Sequence, residues 1–176
     1  MKRYDWLSMI VLSVGYAATT VAQAPPAAPP AGAPAAKAVR GPSLDVALAM
    51  AQAALAACKS RDAAISVSVV DAAGQAKVTL AADGSPGKTS TSVRKAATAV
   101  AFKASGSEME AREKTDKEFA AKIAANPNDY NDHAGSLPLK VGGEVIGGIG
   151  ISGATTHEID EACASEAVAK LQSKLK

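Results

Sequence analysis

Aromatic residues are scarce in this chain: one Trp, three Tyr and two Phe, or 3% of 176 residues. Charge of one sign is lacking too, with 19 Lys and Arg against 17 Asp and Glu. A near-neutral, aromatic-poor chain has neither the field to neutralise phosphates nor the rings to stack bases, which argues against nucleic acid as a partner. Nothing in the residue order suggests a catalytic triad, a phosphate loop or a metal cluster with ligand spacing. There is no internal repeat and no strand–helix–strand alternation. Histidine is limited to His133 and His157, and cysteine to Cys58 and Cys163. An even cysteine count permits a disulfide in an oxidising compartment without establishing one.

The first 24 residues have the order of a secretory signal peptide. Lys2 and Arg3 precede an apolar stretch, Trp6 to Val21, that ends in Ala22-Gln23-Ala24. A membrane helix is the poorer reading, because Ser8, Ser13, Gly15, Thr19 and Thr20 interrupt it. Removing these residues takes away Lys2, Arg3 and Asp5, and the net charge falls from +2 to +1. Residues 25–42 are almost entirely Pro, Ala and Gly and read as a disordered linker. The expected domain is 43–176, in a periplasmic or secreted protein with no stable membrane span after cleavage.

The domain is organised around Val141 to Gly153, V-G-G-E-V-I-G-G-I-G-I-S-G. Gly142-Gly143 suits a tight hairpin turn, and Val145, Ile146, Ile149 and Ile151 give a central strand. Gly147, Gly148 and Gly150 within it imply close approach of a backbone, a helix or a ligand. Ahead of this strand, Ser43 caps a first helix whose apolar face is Leu44, Ala47, Leu48, Ala51, Leu55 and Cys58. Ile65–Val70 and Ala76–Ala82 form a hairpin around Asp71-Ala72-Ala73-Gly74, with Asp71 shaping the turn. A small-residue helix spans Ser92–Ala104. Ser107 with Glu110 reads as a capping box opening one helix to about Ala125, with Met109, Phe119 and Ile123 buried. After the polar loop Asn126–Ser136 comes a short strand, Leu137–Val141. Thr155 with Glu158 caps the last helix, whose buried face is Ile159, Ala162, Cys163, Ala167, Leu171 and Leu175. Helix, hairpin, two helices, hairpin, helix is the order of an α+β domain with a largely antiparallel sheet.

Several motifs in register resemble the GlcG/HbpS family, the haem-degrading domain family. They are V-V-D-A-A-G-Q (Val69–Gln75), D-G-S (Asp83–Ser85), R-K-A-A-T-A (Arg94–Ala99), S-L-P-L, G-G-I-G-I-S-G and D-E-A-C-A (Asp160–Ala164). One departure is Ala134-Gly135-Ser136-Leu137-Pro138-Leu139, where the family often has Gly-Gly-x-Pro-Ile. The resemblance implies a profilin-like antiparallel sheet flanked by helices on both faces, an α/β/α sandwich, with the first and last helices side by side. It also implies self-association into a homo-oligomer and, for members with a described activity, haem binding. By the same resemblance the first and last strands are antiparallel neighbours, which places Cys58 and Cys163 at one end of the domain and implies a Cys58–Cys163 disulfide.

Haem needs an apolar slot and an axial ligand, most often His. His133, in the polar loop, is the first candidate for the iron, and His157, at the start of the last helix, the second. The alternative for both is a solvated surface residue. The first helix offers only Met50 besides Cys58, and Met50 reads as packing. Lys95 either meets a ligand carboxylate, such as a haem propionate, or is a solvated charge or pairs with Asp71 or Asp83. The leading expectation is an exported oligomeric protein binding haem or a related tetrapyrrole. One alternative is an enzyme or enzyme accessory acting on a small organic acid, its pocket between the Gly147–Gly153 strand and the Lys95 helix. Another is a structural module whose glycine-rich strand allows close subunit contact.

Overall fold

A computed structural model describes residues 39–176. The signal-peptide reading and most of the linker reading therefore fall outside the described residues. The elements are α1 (Leu44–Lys59), β1 (Ser66–Asp71), β2 (Ala76–Ala81), α2 (Thr89–Phe102), α3 (Gly106–Glu113), α4 (Lys117–Ala125), β3 (Ser136–Val141), β4 (Glu144–Ser152) and α5 (His157–Leu171), with a short 3-10 turn at Gln172–Lys174. The four strands form one antiparallel sheet in the order β2-β1-β4-β3. Helices cover both of its faces, as expected of an α+β sandwich.

One face carries the main core. Ala47, Met50, Ala51 and Ala54 of α1 and Ala164, Ala167 and Leu171 of α5 meet Val67, Val69, Ile149 and Ile151. Met50 is fully buried there, as the packing reading has it. Small residues on both helices let them lie close together and close to the sheet. The apolar face of α1 is rotated from the expected one: Leu44 and Leu48 are 60% and 39% exposed, and alanines take the inner positions. On α5, likewise, Ala162 is exposed while Asp160 and Ala164 are buried. A disulfide joins Cys58 to Cys163, with their Cα atoms 5.4 Å apart.

The other face is where the strand glycines find their reason. A Cβ on Gly150 would lie 2.3 Å from Ser92 O and 2.5 Å from Ala96 N, and one on Gly148 2.5 Å from Ala96 O. The backbone of α2 thus lies directly on β4. Beside it, Ser68 reaches Ser92 Oγ at 2.8 Å and Thr79 Oγ1 at 3.0 Å, which satisfies hydroxyls that burial would otherwise penalise. This packing is the close approach of a helix that the strand glycines imply: Gly148 and Gly150 of the central strand are covered by α2 within the chain. The cavity that borders both the Gly147–Gly153 strand and the Lys95 helix lies past the strand's middle, at Ser152 and Gly153.

Local chemistry sets the element ends. Gly142 and Gly143 take φ +57° and +83°, the two-residue turn that joins β3 to β4. Asp71 Oδ1 accepts from the N–H groups of Ala73 and Gln75, so Asp71 does shape its turn. The capping box belongs to Ser105 and Glu108, not to Ser107 and Glu110. The expected single helix is two, because Asp116 accepts from Glu118 N and Phe119 N and starts α4 afresh. The last helix is capped one residue later than expected, by Thr156. Arg40–Pro42, at the end of the expected linker, lie against the domain: Ala72 N donates to Arg40 O at 2.9 Å, and Pro42 Cδ approaches Gly147.

Candidate functional site

Four segments converge where β4 ends: α2, the loop 131–135, the start of α3 and the first turns of α5. Lys95 of α2 is 2% exposed and donates to Ala134 O at 2.7 Å, while its Nζ lies 3.4 Å from Asp160 Oδ2. Its partner is therefore Asp160, not Asp71 or Asp83. Asp160 is 1% exposed, and its other oxygen accepts from Ala154 N. Burial pushes the Lys95 amine below its ordinary value, and the carboxylates of Asp160, Glu110 and Glu161 oppose that shift.

Gly135 is the close-approach residue of this knot. Its φ is +118°, and a Cβ there would lie 2.7 Å from Lys95 Nζ and 3.0 Å from Ile151 O. Glu161 binds the loop to both helices, accepting from Gly135 N, Ser107 N and the Ser107 hydroxyl. Gly106 brings α3 onto the loop from the other side, since a Cβ there would meet His133 O at 2.4 Å. Glu110, one turn into α3, accepts from Ala134 N at 3.1 Å.

This scaffold brings the two histidines together. His133 and His157 stack with ring centroids 4.8 Å apart and planes 24° apart, both exposed. Glu110 completes a cluster whose ligand atoms all lie within 4.8 Å of one another. A cavity of about 360 Å³ opens beside them, lined in part by Lys95, Asn131, Ser152 and Asp160. All three expected site residues, Lys95, His133 and His157, border this one cavity. What the sequence did not disclose was Glu110, Asp160 and Glu161. Reading Glu110 as the capping-box acid hid it; Glu108 does that work and leaves Glu110 for the loop.

The match to the model of the family described as haem degrading protein HbpS-like runs over residues 43–169. The chain belongs to the HbpS-like family. Comparison with curated protein sequences finds no match. Among solved structures, a double mutant of Streptomyces reticuli HbpS is 32% identical, covering 83% of this chain and 98% of that one at a TM-score of 0.68. PduOC in complex with heme is 26% identical, over 73% of this chain and 94% of the other, at a TM-score of 0.67. The Klebsiella pneumoniae protein ORFY is 24% identical over 83% and 100% at a TM-score of 0.71, a likeness of fold alone.

The donor chemistry here suits haem iron, since imidazole is its commonest protein ligand. The walls suit the macrocycle less well. Lys95, Asn131 and Asp160 are polar, whereas the more apolar cavity, about 480 Å³ beside Leu55, Ala56 and Ala63, has no His, Met, Tyr or free Cys in its lining. Within one chain, imidazole donors and an apolar slot are in different places.

Proposed function

We propose that this chain is an exported, oligomeric protein that binds haem or a related tetrapyrrole, with His133 as the first axial ligand and His157 as the second candidate. The observation that carries the reading is the exposed His133–His157 pair at the edge of a cavity. Membership of the HbpS-like family supports it, as does the likeness to a haem-bound PduOC. Bound haem would supply redox and ligand-binding chemistry at iron; the chain's part is to offer an imidazole and exclude water around it. A second copy of the chain supplies the apolar wall that one chain lacks at this place. Lys95 holds the loop that carries His133 and is already engaged by Ala134 and Asp160, so its part toward a propionate is indirect.

Haemin titration followed by visible absorbance tests the reading, with His133→Ala and His157→Ala alongside and light scattering for mass. A saturable Soret shift altered by His133→Ala, at a mass of two or more chains, is expected. Spectra indistinguishable from haemin with an unrelated protein would sink it.

A further inference from the structure

The His133–His157 pair is only two-thirds of what the fold assembles at this point. From Glu110, His133 and His157 we infer a second binding capacity, independent of any porphyrin: a site for one divalent first-row transition metal ion. Two imidazoles and a carboxylate are the donor set that takes Zn²⁺, Co²⁺ or Fe²⁺. Donors sharing one ion at about 2.1 Å stand about 3–4 Å from each other. The three donors already lie within 4.8 Å of one another, so small side-chain rotations of the exposed imidazoles close the set.

The carboxylate is the fixed member. Glu110 Oε2 is held by Ala134 N, in the residue that follows His133, which leaves Oε1 to face the ion. Such an outer hydrogen bond orients a ligand before the metal arrives. The surrounding charge also favours a cation. Lys95 is neutralised by Asp160, whereas Glu110 and Glu161 have no ammonium or guanidinium within ion-pairing distance among the described residues. Three protein ligands leave at least one position open, so the ion is exchangeable and keeps bound water.

Porphyrin iron takes only axial donors and has no use for Glu110. This separates the two capacities. Co²⁺ titration of the full chain, stripped with chelator and followed by d–d absorbance, is the test. One equivalent per chain is expected. Glu110→Gln, which keeps an acceptor for Ala134 N, weakens binding at least about tenfold, as do His133→Ala and His157→Ala. Glu113→Gln, on the same helix, leaves it unchanged. Co²⁺ binding that is non-saturable, or indifferent to Glu110→Gln and to both histidine substitutions, would overturn the site. Haemin titration of Glu110→Gln reads the other proposal separately: retained haemin with lost Co²⁺ is the expected pattern. Loss of both, in a variant with native thermal stability, would mean that the carboxylate serves the loop and not an ion.

Discussion

A buried ammonium such as Lys95 is tolerated only because Ala134 O and Asp160 receive it. Lys95→Met leaves the Asp160 carboxylate buried beside an apolar chain, and breaking such a pair costs about 3–5 kcal/mol. Urea unfolding should show that loss, and Lys95→Met/Asp160→Asn should recover part of it; equal loss in single and double variants would deny the coupling. Gly135→Ala attacks the same knot through the backbone, at φ +118° and against Lys95 Nζ. We expect more than about 1 kcal/mol of destabilisation, with the His133 loop displaced, whereas Gly84→Ala, whose Cβ meets nothing, pays only for its φ of +73°. Sequence alone identified His133 and His157 as residues to watch because histidine is rare here, and Lys95 because it stands at the start of its helix within the R-K-A-A-T-A motif. It could not identify Asp160, Glu110 or Glu161, because Asp and Glu are common in the chain and these three differ from the rest only in what the fold sets against them.

Among elements, α3 shows how a one-step error in a cap propagates. Ser105 and Glu108 form the box, and the hydrogen bonds from Ser105, backbone first and then side chain, hold the Glu108 carboxyl below its ordinary value of 4.5. A carboxyl depressed on folding contributes stability above its unfolded pKa and loses it as pH falls through the lower folded one. The Ser105 amide resonance should therefore titrate with a midpoint below 4.5; a midpoint at or above that value would contradict the box. Ser105→Ala should cost about 1 kcal/mol. The hairpins and the central strand were readable because Gly142-Gly143 and alternating Val and Ile leave few alternatives. Helix ends were less readable, since Ser, Thr, Asp and Glu crowd every boundary and only tertiary contacts choose among them. The break at Asp116 is one such choice, and it lets α4 turn Phe119 onto Phe102, ring centroids 5.0 Å apart.

At the scale of the whole molecule, the disulfide links positions 105 residues apart in sequence. In the chain-entropy picture, closing a loop of about 100 residues stabilises by about 4.7 kcal/mol. Reduction should therefore lower the urea midpoint by the equivalent of about 2–5 kcal/mol, and the unfolded, unreduced chain should present no titratable thiol. The α+β class and the antiparallel sheet were legible from the order of elements, and the layering of helices on both faces from the family resemblance; the inward turn of the alanines on α1, leaving Leu44 and Leu48 outside, was not. Periodicity places a stripe on a helix but does not say which edge of that stripe a closely packed neighbour will prefer.

All four strands and α2, α3 and α4 lie between Cys58 and Cys163. Topologically the sheet and its second helical layer form a covalent ring, from which α1 and α5 leave as two arms. A single protease cut at an exposed segment such as Asn128–Asp129 opens that ring without releasing a fragment. The nicked protein should run as one band on a non-reducing gel and as two after reduction, so the two halves of the domain stay joined after damage in an exposed loop.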